Sequence, residues 1–247
     1  MKLKIAHLYP DLLEVYSDRG NVTVLKRRAE WRGFDVEVKA ISIGDTADLS
    51  EYDILFSGGG EDREQSIVAD DLLRRRSAFE KAIAEGTVIL TICGSYQLLG
   101  RYFETIGGKR IEGLGLVDFF TVGGTKRLVG NTIGNLQIEG LAGNTIVGYE
   151  NHSGRTYLGE GVKPLAVMTN GFGNNGEDRF EGVAQGTVFG TYMHGPLLSK
   201  NPHFADFLLR LALYRHTEDP VLIPLDDTWE MRAHQQIIEK YSQTVRV

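Results

Sequence analysis

Two hydrophobic periods alternate along this chain, and they switch in a regular order. The runs "LKIAHLY" (3–9), "FDVEVKAI" (34–41) and "DILFSGGG" (53–60) have the length and side-chain types of strands. Between the first two lies "GNVTVLKRRAEWRG" (20–33), with the mixed polar and apolar spacing of a surface helix. Strand, helix and strand in that order predict βαβ units and a parallel sheet. Residues 62–85 place Ile67, Leu72, Leu73, Phe79 and Ile83 at mostly helical spacings among charges, and Gly86 stands where that helix stops. "TVILTI" (87–92) returns as a buried strand. A very short turn then leads into "GSYQLLGRYFE" (94–104), read as a helix with Tyr96, Leu99, Tyr102 and Phe103 on one side.

From about residue 107 to 195 the texture changes. Short β-branched or aromatic runs, "LVDFFTV", "TIVGYE", "PLAVMTN" and "GTVFGTYM", are separated by glycines and asparagines, which predicts an antiparallel extension of the sheet. Residues 202–215 read as an apolar helix after a cap at Asn201, and "DDTWEMRAHQQIIEKY" (226–241) as a final amphipathic helix beyond the loop "TEDPVLIPLDD". No repeat or linker interrupts the pattern, so residues 1–247 are expected to form a single α/β domain.

Composition narrows the classes of function. A net charge of -6 gives no general attraction to nucleic acid or an anionic membrane. The longest apolar runs fall far short of the roughly 20 residues that span a bilayer. A single cysteine excludes an intramolecular disulfide, and the N-terminal segment lacks the apolar core of a signal peptide, so a cytoplasmic location is expected.

That one cysteine, Cys93, sits between a strand and a helix pattern, at the carboxyl edge of a parallel sheet, where open α/β proteins bind ligands. Two readings are open. Cys93 is a small buried hydrophobe, or it is a thiolate presented on a tight turn and favoured by the start of the next helix. Two further stretches favour the second. "SGGGEDREQ" (57–65) allows backbone N–H groups to approach a ligand closely, and "GTVFGTYMHGP" (186–196) puts His194 at a strand end, as a base for a thiol requires.

Glycine loop, strand–Cys–helix with Gln97, and a strand-terminal histidine together resemble the class I glutamine amidotransferase domains, in their cobyric acid synthase-like branch. "LYPDLLEVYSDRGN", "GGGEDREQ", "CGSYQLLG", "KRLVGN" and "GYENHSGRTYL", in this order over nearly the whole chain, are similar to the glutaminase subunits of lipid II isoglutaminyl synthases. The resemblance implies a three-layer α/β/α, flavodoxin-like fold, mainly parallel with an antiparallel extension. It implies hydrolysis of L-glutamine through a Cys93 thioester, with His194 as general base and acid. Backbone N–H groups of Gly60 and Gly94 would form the oxyanion hole. Arg127 would bind the substrate carboxylate, and Gln97 would either touch substrate or brace its helix. Ammonia would pass to a Mur-ligase-like partner that uses ATP and Mg2+ to amidate D-glutamate of lipid II, so no cofactor or metal is expected in this chain. Lipid II would bring the complex to the inner face of the membrane.

One departure from the family's pattern matters. The usual His-x-Glu, whose acid orients the imidazole, reads here His194, Gly195, Pro196. Either Glu150 or, the favoured reading, an acid from the partner is expected to complete the site, with weak activity for the isolated chain as a consequence. A turn role and a site role for His152 both remain open. Also open are a different acceptor, such as a cobyrinic acid-type substrate, a catalytically silent regulatory subunit, and an ordinary cysteine hydrolase.

Overall fold

The continuous apolar runs become strands because both of their faces are buried. In the computed structural model, which describes residues 1–241, the elements in chain order are β1 (Lys2–Leu8), α1 (Arg19–Glu30), β2 (Asp35–Ile41), β3 (Ile54–Ser57), α2 (Asp62–Arg74), α3 (Arg76–Ala84), β4 (Val88–Ile92), α4 (Gly94–Gln97), β5 (Tyr102–Glu104), β6 (Arg110–Glu112), β7 (Phe119–Leu136), β8 (Thr145–Leu158), β9 (Ala166–Asn170), β10 (Phe180–Glu181), β11 (Val183–Gln185), β12 (Val188–Thr191), α5 (Pro202–Leu213) and α6 (Thr228–Tyr241). Residues 242–247, the end of the expected single domain, lie outside the described residues.

The first sheet has strand order β11-β12-β4-β3-β1-β2, parallel throughout except for β11. Its side chains alternate between two cores. Leu3, Ile5, Ile54, Phe56, Val88, Leu90 and Ile92 face the layer holding α1 and α5, with Val22, Leu25, Phe204 and Leu208. Ala6, Leu8, Leu55 and Ile89 face the layer of α2 and α3, with Val68, Leu72, Phe79 and Ala82. This is the expected three-layer α/β/α arrangement.

Three expectations change in detail. The helix over 62–85 is broken at Arg75, whose φ of -90° and ψ of 1° leave the helical basin. The antiparallel part does not simply extend the first sheet. β11 does so, while β5, β6, β7, β9 and β10, with β8 paired to β7, build a second sheet. The helix over 94–104 stops at Gln97. Carbonyls of Leu98, Leu99 and Gly100 accept instead from Leu114, Leu116 and Gly115 N–H (2.7, 3.0 and 2.8 Å), and Phe103 pairs with Thr121 in the second sheet. Of the apolar side chains that suggested a helix face, Tyr96, Leu99 and Phe103 are buried in one core with Phe119 of β7, and Tyr102 is half-buried on β5. Among the described residues no helix is long and apolar enough to cross a membrane.

Candidate active site

Four neighbouring parallel strands, β12, β4, β3 and β1, end at the same edge of the first sheet. Ile92 pairs with Thr191, Thr91 with Ser57, and Ser57 with Leu8, so the segments that follow converge. These carry His194 after β12, Cys93 after β4, the Gly58–Gly60 loop after β3, and Asp18 after β1.

Cys93 lies on a backbone that non-glycine residues rarely adopt, φ 51° and ψ -108°. Such a conformation costs about 1–3 kcal/mol and persists only where the surroundings impose it. Here Cys93 N–H donates to Thr191 O (2.8 Å) and Gln97 N–H to Cys93 O (3.0 Å). Ser95 fastens the turn from below: its hydroxyl accepts from Ile92 N–H (3.2 Å) and donates to Ser57 O (2.8 Å). The thiol is therefore presented on a strained turn, as the strand–Cys–helix pattern suggested. The supporting dipole is smaller than expected, since α4 is a single turn. What remains is local. A Cβ on Gly94 would lie 2.5 Å from Gly60 O and 2.9 Å from Gly60 N, so the two backbones touch. Neither the Gly60 nor the Gly94 N–H has an acceptor among the described residues.

His194 is 1% exposed, and its Nδ1 lies 3.1 Å from both Oδ1 and Oδ2 of the fully buried Asp18. With Nδ1–H donating to Asp18, Nε2 is left buried without a partner among the described residues. Burial disfavours the charged imidazole, but Cys93 and the Asp18 carboxylate beside it outweigh that and push His194 up to about 10. Asp18 also accepts from Gly59 N–H (2.8 Å), which locks the glycine loop to the same carboxylate.

Asp18, and not Glu150, is the acid of this chain that lies against the imidazole. Glu150 is buried elsewhere, accepting from the N–H groups of Phe172 (2.8 Å) and Gly173 (3.0 Å). An acid of this chain thus faces the imidazole although Pro196 stands where the family's acid would be. Pro196 packs so tightly on Gly20 of α1 that a Cβ there would fall 2.1 Å from the proline ring. Gly20 lies two residues after Asp18 and Pro196 two after His194, so the same two segments also meet at this contact.

A cavity of about 590 Å³ opens over Cys93, lined among others by Tyr16, Gly60, Asp62, Gln97, Arg127 and His152. Arg127 is braced by Asn151, donating from Nε to Oδ1 (2.9 Å) and from Nη2 to the backbone oxygen (3.3 Å). Gln97 is buried in a chain of bonds. Gln65 Nε2 donates to Gly94 O (2.7 Å) and to Gln97 Oε1 (2.6 Å), and Gln97 Nε2 donates to the Tyr192 hydroxyl (3.0 Å). Its bracing role is thus occupied, and it still faces the cavity. His152 stacks on Tyr192 (centroids 3.6 Å apart) and donates from Nδ1 to Gly154 O (2.9 Å), which fixes its ring beside the cavity. The structure thus gathers the sequence candidates Cys93, His194, Gly60, Gly94, Arg127, Gln97 and His152 around one cavity, leaves Glu150 away from His194, and adds Asp18, Gln65 and Tyr16. Asp18 had a signal of its own in "YSDRGN", but an aspartate ahead of a helix reads as a cap.

Comparison with known proteins agrees with this geometry. The profile of the CobB/CobQ-like glutamine amidotransferase domain matches residues 4–202. The protein of Streptococcus pneumoniae named lipid II isoglutaminyl synthase (glutamine-hydrolyzing) subunit GatD is 42% identical over 98% of this chain and 91% of its own length. The Staphylococcus aureus protein of the same name is 41% identical over 97% of this chain and 96% of its own. Among solved structures, the acivicin-bound glutaminase domain of Trypanosoma brucei CTPS superposes with a TM-score of 0.57 at 13% identity, covering 90% of this chain and 96% of that one, a likeness of fold alone. With the matching profile spanning most of its length and relatives this similar from end to end, the chain belongs to the CobB/CobQ-like glutamine amidotransferase family, in the branch of the glutamine-hydrolysing GatD subunits.

Proposed function

We propose that this chain hydrolyses the side-chain amide of L-glutamine through a Cys93 thioester and delivers the ammonia to a Mur-ligase-like subunit. The observation that carries the reading is the convergence of Cys93, His194 and Asp18 at one sheet edge, beside two N–H groups without an acceptor among the described residues. The Cys93 thiolate attacks the amide carbon, forming the C–S bond as the carbonyl π pair moves onto oxygen. The Gly60 and Gly94 N–H groups receive that oxyanion. His194, held as imidazolium by Asp18, gives its Nε2 proton to the leaving nitrogen, the C–N bond breaks, and ammonia departs. Neutral His194 then takes a proton from water, hydroxide adds to the thioester, and glutamate leaves as the thiolate reforms. Arg127 presents its free end to the substrate α-carboxylate.

The acceptor belongs to the partner. Two relatives named as lipid II isoglutaminyl synthase subunits support lipid II as that acceptor; in this reading the group amidated is the α-carboxylate of D-glutamate in its stem peptide, at the cytoplasmic face of the membrane. Activation of that carboxylate by ATP and Mg2+ falls to the partner subunit, as no step above requires either. Treating the chain with a glutamine-analogue chloroketone is expected to give a mass adduct on Cys93, lost in Cys93→Ser. Absence of the adduct, with or without a co-purified ATP-dependent ligase, would sink the glutaminase reading. Ammonia-dependent amidation of lipid II by the partner, made glutamine-dependent by adding this chain, tests the acceptor.

A further inference from the structure

Tyr16 is 45% exposed and yet sits on a left-handed backbone, φ 58°, followed by Ser17 at φ 60°. Two successive non-glycine residues in that region are uncommon, and the surroundings must impose it. The side chain that this backbone aims makes three contacts, one of them edge-on with the Tyr149 ring (centroids 6.3 Å apart). Its ring lies 4.8 Å from the His194 ring, tilted by 59°. Its hydroxyl accepts from Asn151 Nδ2, the same asparagine that takes both bonds from Arg127. The strap carrying Tyr16 is itself fixed to the glycine loop, Val15 N–H donating to Gly59 O (3.1 Å). Two residues farther on it delivers Asp18 to His194.

We propose that Tyr16 is a positioning residue: its hydroxyl holds Asn151 so that Arg127 is aimed at the substrate carboxylate, while its ring packs on the imidazole of His194. This rests on the glutamine reading of the cavity. Arg127 spends Nε and one hydrogen of Nη2 on Asn151, which leaves the Nη1–Nη2 edge for a carboxylate. Without the tyrosine hydroxyl, Asn151 loses the bond that fixes its side-chain plane, and the guanidinium it braces is free to swing. Without the ring, the imidazole loses the cover on one side. Capture of the amino-acid end of the substrate and alignment of the base thus share one side chain.

Two alkylating probes on the full chain separate these roles. A glutamine-analogue chloroketone must be recognised before it reacts with Cys93, whereas iodoacetamide reports only the thiolate and its imidazolium. In Tyr16→Phe the half-saturating chloroketone concentration is expected to rise about fivefold, the cost of one neutral hydrogen bond. The iodoacetamide rate and its pH profile should stay within about twofold. In an Arg127→Lys background the same Tyr16→Phe change should have under about twofold effect, because the bond no longer aims a fork. Tyr16→Leu, which removes the ring, should also shift the iodoacetamide pH profile. An unchanged half-saturation in Tyr16→Phe overturns the proposal. So does a full effect that persists beside Arg127→Lys, or an equal fall with both probes, which marks a structural role alone. If the unaltered chain ignores the chloroketone, the glutamine reading fails instead, and an unshifted iodoacetamide profile in Tyr16→Leu then overturns the ring's role separately.

Discussion

The Nδ1 atom of His194 lies 3.1 Å from both carboxylate oxygens of Asp18, a residue 176 positions earlier in the chain. The imidazole is pushed up to about 10 despite burial, so it carries its proton throughout the neutral range and gives it up only as pH rises toward that value. Asp18→Asn keeps the shape but removes the charge that supports the imidazolium. Glutamine hydrolysis should fall by about 10²–10⁴, as for a triad whose orienting acid is neutralised. The alkylation rate of Cys93 at pH 6–8 should fall with it, because the thiolate loses a charged partner. A variant whose rate and pH profile stay within about twofold of the original would show that Asp18 does not hold the base.

The contact between Gly94 and Gly60 leads to a second expectation. A Cβ at 94 would fall 2.5 Å from Gly60 O and 2.9 Å from Gly60 N, both backbone atoms that cannot rotate away. Gly94→Ala must therefore part the two N–H groups proposed to meet the oxyanion. Glutamine turnover is expected to drop by about 10²–10³, the usual loss when an oxyanion donor is removed. Alkylation by iodoacetamide builds no oxyanion and should change far less. Equal losses in both reactions would remove the oxyanion role of this pair.

Much of this site was legible in the sequence for one reason: strand ends are local features. The apolar runs before Cys93, the glycine loop and His194 place these residues at one sheet edge as soon as the strands are taken as parallel. Asp18 was not legible, because its local setting is that of a helix cap and its partner, His194, lies 176 positions away in the chain. The lost helix at 98–104 has a similar cause. Its apolar spacing suits a helix, but carbonyls captured by residues 114–116 and pairing with β7 override the period. The second sheet escaped for the same reason, since period and glycine spacing identify strands without saying which sheet they join.

Glu181 gives a pH-dependent expectation. It is 1% exposed, and burial pushes its carboxyl up to about 7, although Oε1 accepts from the Thr191 hydroxyl (2.5 Å) and Tyr192 N–H (2.8 Å). The folded state keeps its proton to about pH 7, whereas an unfolded glutamate releases it near the ordinary value of 4.5. Stability therefore falls as pH rises through that window, by an amount on the order of 3 kcal/mol from this group. Glu181→Gln retains an acceptor for both donors and has nothing to ionise. Its urea midpoint should match the original near pH 4.5 and exceed it increasingly up to pH 7 and above. A difference that does not change with pH would exclude Glu181 as the titrating group.

Arg28 makes the last case, well away from the cavity over Cys93. Its side chain is 3% exposed and joins three parts of the chain. From α1 it donates Nε and Nη2 to Asp206 of α5 (both 2.7 Å), and Nη1 and Nη2 to Asp227 just before α6 (2.5 and 3.0 Å). Arg32 holds Asp206 as well (2.6 Å), but Asp227 has no other basic partner among the described residues. Removing the cation alone leaves the Asp227 carboxylate, 24% exposed, without its partner, so Arg28→Met should cost about 2–3 kcal/mol, less than for a fully buried pair because water reaches the orphaned charge. Replacing both charges, Arg28→Met with Asp227→Leu, should recover a large part of that loss, because the penalty comes from the orphaned charge and the volume is nearly kept. Urea unfolding measures both, and glutamine turnover per folded molecule should be the same in each. If the double variant is less stable than Arg28→Met, the ion pair is not the source of the cost, and the packing of the arginine stem against α5 must be.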